Sequence, residues 1–147
     1  MHRKPHSPRI LLVEDNPADA NLVSEVFEES QFAADIEHVE DGIEAMDFLN
    51  RRPPFENAAR PDLVLLDLNL PRKNGRQVLK EIKADDVLKL IPVIVLTTSS
   101  SDADILESYR NSANCYLTKP IDFDEFVRVV GLIKDFWFSA AKLPHTA

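Results

Sequence analysis

Five side chains that can share one ionic site each follow directly on a short apolar run. They are Glu14, Asp15, Asp67, Thr97 and Lys119. If the runs are parallel strands, all five lie at the carboxyl edge of one sheet, where ligands of open parallel sheets bind. Three carboxylates in one place repel one another unless cations compensate. Lys119 supplies one fixed charge, and Mg²⁺, which prefers carboxylates, water and phosphate oxygens, is the natural second.

The same set of residues indicates phosphoryl chemistry. A carboxylate can act as a nucleophile and form an aspartyl-phosphate. Asp67 is the best candidate because it follows the central run, which leaves Glu14 and Asp15 to hold the metal. Lys119 and Mg²⁺ would neutralise charge on the transferred phosphoryl group, and Thr97 could donate a hydrogen bond to it. Each residue alone is ordinary as a cap, turn or loop residue, but their joint placement favours the functional interpretation.

The elements that must position these residues follow from the apolar pattern. Apolar runs begin near residues 10, 36, 63, 93 and 115. Runs that are continuous, rather than alternating, indicate strands buried on both faces. Segments with helical periodicity separate them, which is typical of a parallel sheet covered by helices on both sides. Helices are predicted to begin at Asn16-Pro17, after Asp41-Gly42, after Asn74-Gly75, at Ser101-Asp102 and near Asp122.

The last two helices carry apolar residues whose direction matters for function. We expect Ile105, Leu106 and Tyr109 of the fourth helix to face the core. The fifth helix is predicted from about residue 122 to residue 140, and one stripe of it should face the sheet. That stripe is Phe123, Phe126, Val127, Val130, Ile133 and Trp137. A second arc suggests a partner surface, with cover by loops and the C-terminal tail as the alternative. That arc is Val129, Leu132 and Phe136.

Composition excludes several classes of function. The 147 residues suffice for one domain with a core. A formal charge of −8, from 25 acidic and 17 basic residues, argues against binding to nucleic-acid phosphates or anionic membranes. No stretch approaches the roughly 20 apolar residues of a membrane span, and no signal peptide is visible. We therefore expect a cytoplasmic protein with no nucleic-acid or membrane partner.

Taken in order, the motifs resemble the response-regulator receiver domain of bacterial two-component signalling. The resemblance covers residues 9–137. The segments that carry it are Leu12-Val-Glu-Asp-Asn16, Leu65-Leu-Asp-Leu-Asn-Leu-Pro71 with Gly75, Val95-Leu-Thr97 and Tyr116-Leu-Thr-Lys-Pro120. It implies a flavodoxin-like, doubly wound α/β fold with a five-stranded parallel sheet of order 2-1-3-4-5 and five helices. We expect a receiver domain at residues 9–140, between a flexible tail at residues 1–8 and a tail at residues 141–147.

The resemblance also implies roles for the residues of the site. Asp67 would accept a phosphoryl group from a kinase histidine, so the protein would be a phosphoacceptor that assists its own phosphorylation and dephosphorylation rather than an enzyme. Glu14, Asp15 and Asp67 would hold Mg²⁺, with Mn²⁺ as a substitute. The backbone carbonyl of Asn69 would be a further ligand. Lys119 would pair with the bound phosphoryl group.

Other positions would report or tune the phosphorylated state. Thr97 would shift toward the phosphoryl group, and Tyr116 would change rotamer as a switch aromatic, with simple packing on an edge strand as the alternative. The positions that tune the lifetime of the aspartyl-phosphate are Asn69, Thr98 and Ser99. Thr98 stands where many receivers carry a small alanine, which puts that lifetime in question. The Lys119–Pro120 peptide is expected to be cis.

A narrower resemblance concerns the partner. The ending from Ile133 to Trp137 and on through Leu143-Pro144, with the long loop at residues 51–61, is similar to the small stand-alone response regulators of bacterial phytochromes. It implies a phytochrome-type sensor histidine kinase as partner. It also implies a homodimer through the fourth helix, fifth strand and fifth helix, for which the interface candidates are Val129, Leu132 and Phe136. We expect no output domain after the receiver.

Two other functions remain open at this point. The first is a Mg²⁺-dependent phosphatase that also uses an aspartyl-phosphate. Against it, Asn69 stands where haloacid-dehalogenase-type phosphatases place a second aspartate as general acid, and the sequence offers no cap domain. The second is a constitutive dimeric adaptor with a vestigial site, and the intact five-residue set argues against it.

Overall fold

The structure is a computed structural model, and it describes residues 7–29, 34–119 and 123–136. Five strands alternate with five α-helices in these ranges. The strands are β1 (Arg9–Val13), β2 (Asp35–Val39), β3 (Leu63–Leu66), β4 (Val93–Thr97) and β5 (Cys115–Thr118). The helices are α1 (Pro17–Glu29), α2 (Gly42–Leu49), α3 (Gly75–Ala84), α4 (Asp102–Arg110) and α5 (Phe123–Asp135), with a short 3-10 helix at Leu88–Leu90 before β4.

The strands form one parallel sheet in the order β2-β1-β3-β4-β5, as predicted. Its residues alternate between two apolar cores, one on each face. Leu11 and Val13 of β1 belong to the core covered by α2 and α3, whereas Ile10 and Leu12 belong to the core covered by α1 and α5. The central strands are therefore continuous apolar runs, because helices cover the side chains on both faces of the sheet.

Four helices begin where a polar side chain caps their first turn. The side chain of Asn16 accepts from the N–H groups of Ala18 and Asp19 at the start of α1. The same arrangement recurs with Asp41 before α2, Asn74 before α3 and Ser101 before α4. These oxygens satisfy N–H groups that have no partner within the helix. The predicted starts of the four helices are confirmed.

The predicted inner face of α4 is wrong at two of its three residues, because only Ile105 is partly buried. Leu106 and Tyr109 are about half exposed, and the buried residue of this helix is Ser108. Helical periodicity marks an apolar face without telling whether that face meets the sheet or the solvent. Here the small Ser108 faces the sheet, and two large apolar side chains of α4 remain on the surface.

The prediction for α5 is right for part of each arc. Phe126, Val130 and Ile133 are buried as expected, whereas Phe123 at the start of the helix is exposed. Val129 was assigned to the partner surface, but its exposure is only 8% and it belongs to the core with α1. It follows Phe126 by three residues, so the two lie on the same side of the helix.

Several further expectations concern residues that the structure does not describe. The predicted start of α5 near Asp122, its predicted end at residue 140, and residues 1–6 and 141–147 of the predicted tails lie outside the described residues. Trp137, which was assigned to the inner stripe of α5, lies outside the described residues. The peptide between Lys119 and Pro120, which was expected to be cis, also lies outside them.

The start of α3 lies against the main chain that follows β3. A Cβ atom on Gly75 would lie 2.0 Å from the carbonyl oxygen of Asp67 and 2.7 Å from the Cα atom of Leu68. The Gly75 N–H donates to the Leu68 carbonyl at 3.0 Å, which holds this close approach. A glycine at position 75 therefore lets α3 begin next to the end of β3.

This close approach predicts that a methyl group added at position 75 lowers the stability of the protein. Gly75→Ala should lower the free energy of unfolding by about 1–3 kcal/mol, because backbone atoms must move to admit the Cβ. Gly131→Ala in α5 is the matched control, since its Cβ would meet nothing within 4 Å. The control should be neutral or stabilise by up to about 1 kcal/mol through helix propensity. Urea unfolding followed by circular dichroism measures both, and equal stabilities of the two variants would contradict the contact.

Candidate functional site

The five residues singled out in the sequence lie at the carboxyl ends of four strands. Glu14 and Asp15 follow β1, Asp67 follows β3, Thr97 ends β4, and Lys119 follows β5. Strand order reverses between β1 and β3, which are paired through Val13 and Leu66. The residues that follow these two strands therefore flank the crevice in which open parallel sheets bind ligands.

Lys119 is the centre of the ionic contacts at this edge. Its ammonium donates to Asp67 Oδ2 at 2.9 Å, to Asp19 Oδ2 at 2.8 Å, and to Glu14 Oε1. Burial alone would lower the pKa of Lys119, but hydrogen bonds to the three carboxylates outweigh burial and raise the pKa above its ordinary value. Lys119 therefore remains a cation throughout the physiological pH range.

Asp19 is a member of this cluster that the sequence reading missed. It lies in the first turn of α1, and its side chain is partly exposed, unlike that of Lys119. A signal for it was present, because α1 begins directly after Glu14 and Asp15. A carboxylate in the first turn of α1 must therefore lie close to Glu14 and Asp15. Asp19 is thus a carboxylate partner of Lys119 that is not one of the three candidate metal ligands, Glu14, Asp15 and Asp67.

Asp67 is oriented by three donors. Its Oδ1 accepts from the Thr97 hydroxyl at 2.9 Å and from the Asn69 N–H at 2.9 Å, while Oδ2 accepts from Lys119. The residue is only 6% exposed. Its carboxylate is thus held in one orientation at the edge of the sheet, with donors already placed around its oxygens.

Glu14 is the most buried carboxylate of the site. The pKa of Glu14 is raised to about 6, chiefly by burial. The contacts with Lys119 lower it and the charge of Asp67 raises it, but the effect of burial is larger than either. One oxygen each from Glu14, Asp15 and Asp67 lies within 4.8 Å of the others. Hard oxygen donors of this kind and number fit Mg²⁺ or Mn²⁺. The carbonyl of Asn69 as a further ligand remains a prediction.

The predicted switch and lifetime residues lie in a chain of contacts beside Asp67. The Tyr116 hydroxyl donates to the Ser99 carbonyl at 2.8 Å. The Ser99 N–H reaches Thr97 Oγ1 at 3.5 Å, at the outer limit of a hydrogen bond. Thr98 is exposed, and so is Asn69. The loop after β4 is therefore in contact with both the site and the edge strand β5.

Sequence reasoning also missed an ion pair between α3 and α4. Arg76 donates through Nε and Nη2 to the two carboxylate oxygens of Asp104, at 3.0 and 2.8 Å. The Ser99 hydroxyl donates to the same carboxylate at 2.6 Å. Arg76 and then Ser99 lower the pKa of Asp104 to about 2. No periodicity in the sequence links residues 28 positions apart on different helices.

Comparison with known proteins agrees with this geometry. Residues 10–131 match the response regulator receiver domain. The chain belongs to this family. The receiver is 47% identical over 135 residues to the response regulator Rcp1 of Synechocystis sp., with 92% of each chain covered.

Two solved structures are similar over nearly their whole length. One is the phosphorylated cyanobacterial phytochrome response regulator RcpA, with a TM-score of 0.91 and 47% identity, covering 95% of this receiver and 100% of that chain. The other is the Mn²⁺-bound form of Rcp1, with a TM-score of 0.87 and 46% identity, covering 94% and 99%. The fold and the family expected from the sequence are thereby confirmed. Within the described ranges, the receiver has no helix of the length and apolarity needed to cross a membrane.

The raised pKa of Glu14 predicts how divalent cations bind. Glu14 must lose its proton before its oxygen can bind a cation, so affinity should fall as pH decreases through about 6. Well below this pH the loss should approach about tenfold per pH unit. Mn²⁺ titration followed by electron paramagnetic resonance measures the affinity. Glu14→Gln is the control. It should bind the cation more weakly than the wild type, and its affinity should not show the fall near pH 6. An unchanged wild-type affinity across the same pH range would contradict the assignment.

Proposed function

We propose that this receiver is a phosphoprotein of two-component signal transduction, which accepts a phosphoryl group from a sensor histidine kinase on Asp67. The observation that carries the proposal is the convergence of Thr97, Lys119 and the Asn69 N–H on the two oxygens of Asp67. Such donors hold the nucleophile in place and can stabilise charge on a transferred phosphoryl group. We take residues 9–140 as the functional domain and residues 1–8 and 141–147 as tails.

The chemistry is a transfer between two covalent carriers. One oxygen of Asp67 forms the new P–O bond while the P–N bond to the kinase imidazole breaks, and the imidazole nitrogen leaves with the electron pair. Lys119 remains charged and pairs with a phosphoryl oxygen. Thr97 can turn its hydroxyl from Asp67 to another phosphoryl oxygen. The product is an aspartyl-phosphate, so the protein acts as a phosphoacceptor and not as an enzyme that turns over a separate substrate.

The acidic cluster supplies the place for a divalent cation. Glu14, Asp15 and Asp67, with the carbonyl of Asn69, would hold Mg²⁺, and Mn²⁺ would fit the same donors. A bound Mg²⁺ supplies Lewis-acid neutralisation of phosphoryl charge. The Mn²⁺-bound structure of the relative Rcp1 supports this proposal.

The kinase partner is proposed to be of the phytochrome type, and the receiver itself is proposed to be cytoplasmic. Similarity to the phytochrome response regulator RcpA supports this partner. Phosphorylation would draw Thr97 toward the phosphoryl group and change the rotamer of Tyr116, and so alter the face formed by α4, β5 and α5. Asn69, Thr98 and Ser99 would set the lifetime of the phosphorylated state.

The same face is proposed to form a homodimer. Leu106 and Tyr109 of α4 are exposed, and on α5 the exposures of Leu132 and Phe136 are 55% and 57%. Both helices pack next to β5. Large exposed apolar side chains on elements that flank one strand are typical of a protein interface. Val129 is no longer a candidate, because it is part of the core.

Phosphorylation of Asp67 can be tested without the kinase. Incubation with acetyl phosphate and Mg²⁺ should add one phosphoryl group to the wild type and none to Asp67→Asn, as read by intact mass. Asp86→Asn is the matched control, because Asp86 is an exposed aspartate beyond the last turn of α3, whereas the first turn of α3 lies next to Asp67. Labelling of Asp67→Asn to the wild-type level would reject Asp67 as the acceptor. Continuous release of phosphate from an ester at catalytic protein concentrations would favour the phosphatase instead.

The dimer predicts a change in molecular mass. Leu132→Glu with Phe136→Glu should convert a dimer into a monomer, because two charges would then be buried in the interface. Val87→Glu with Leu90→Glu is the matched control, since those side chains are similarly exposed at the start and the end of the 3-10 helix. Multi-angle light scattering measures the mass. A wild type that is monomeric both before and after phosphorylation would sink the proposal.

A further inference from the structure

The ion pair between α3 and α4 also contacts the main chain next to the phosphoacceptor. Besides its two bonds to Asp104, Arg76 donates through Nη1 to the Leu68 carbonyl at 3.4 Å. Leu68 directly follows Asp67. One guanidinium group therefore contacts the end of β3 and the first turn of α4 at once.

Asp104 carries this connection on to the loop that follows β4. Its Oδ2 accepts from the Ser99 hydroxyl at 2.6 Å, and the Ser99 carbonyl accepts from the Tyr116 hydroxyl at 2.8 Å. The Asp104 N–H also donates to the Ser101 hydroxyl, which caps α4. A continuous series of hydrogen bonds thus runs from the residue after Asp67 to the edge strand β5.

The pair has the geometry of a positioning contact and not of an ordinary surface ion pair. A single N–O contact between exposed side chains orders little and is screened by salt. Here two parallel N–H groups meet two oxygens, an arrangement that fixes direction as well as distance. The exposures of the Arg76 and Asp104 side chains are 35% and 21%, so solvent screens them only in part.

We propose that Arg76 and Asp104 are positioning residues, which hold Ser99 and, through it, Tyr116 in a defined place relative to Asp67. The inference rests on the proposed function, because the event to be transmitted is phosphorylation of Asp67. With the pair intact, the loop after β4 keeps its contacts and stays beside the phosphoryl group. Without it, the Ser99 hydroxyl and carbonyl are free to move, water gains access to the aspartyl-phosphate, and Tyr116 loses a fixed acceptor.

The first measurement tests the contact in the unphosphorylated protein. The chain has two tyrosines, so fluorotyrosine labelling gives two fluorine NMR signals, and Tyr116→Phe identifies the one from Tyr116. Arg76→Gln and Asp104→Asn should each shift and broaden the Tyr116 signal. The double variant should change it no further, because either substitution alone already breaks the pair. Lys73→Gln is the matched control, since it removes the Lys73–Glu81 ion pair of the α3 region and should leave the signal unchanged.

The second measurement tests the functional consequence. After labelling with acetyl phosphate, the half-life of the phosphorylated protein should fall by about threefold or more in each single variant. The double variant should match the single variants, and Lys73→Gln should keep the wild-type half-life.

The two measurements separate failure of the inference from failure of the proposed function. A wild type that takes up no phosphoryl group overturns the proposed function and the coupling with it, whatever the Tyr116 signal does. If the wild type is labelled, wild-type Tyr116 signals and half-lives in both single variants overturn the inference. Strictly additive effects in the double variant also overturn it, because they would mean that the two residues act separately.

Discussion

The charge balance around Lys119 is the interaction on which the functional edge of the sheet depends. Glu14, Asp19 and Asp67 share one ammonium group, and all four groups lie close together at the ends of different elements. Without that cation the carboxylates would repel one another in a poorly solvated place. The arrangement remains net negative, and this excess of negative charge makes the edge attractive to a divalent cation. In the proposed function, the same ammonium would also pair with the phosphoryl group, which brings its own negative charge.

The rest of the fold serves to bring these groups to one edge. Two cores fix the strands in a single register, since a slip by one residue would exchange the side chains between the two faces. The close approach of Gly75 to the main chain of Asp67 then places α3 against the end of β3. From there Arg76 reaches α4. Local chain geometry at one glycine thus connects Asp67, the proposed phosphoacceptor, with a helix on the proposed output face.

The apolar residues of α4 and α5 show what helical periodicity in a sequence cannot predict. Leu106 and Tyr109 have the spacing of a buried stripe, yet Ser108 faces the sheet. Val129 has the spacing of a second surface, yet it is buried in the core that α5 shares with α1. Both errors have the same physical cause. Periodicity states which residues share a face of a helix, whereas the neighbouring elements decide whether that face is covered.

Local signals in the sequence predicted the strands, the starts of four helices and five residues of the candidate site, because apolar runs, capping residues and polar strand ends can be recognised within short segments. The sequence also carried the motifs of the receiver family. Only the tertiary structure showed that Asp19 joins Lys119, that Arg76 meets Asp104, and which apolar side chains remain exposed. These are contacts between residues on different elements. A local pattern places Asp19 near Glu14 and Asp15, but its pairing with Lys119, 100 positions away, depends on how the elements pack. The other contacts are likewise set by packing angles and distances, which no local pattern encodes.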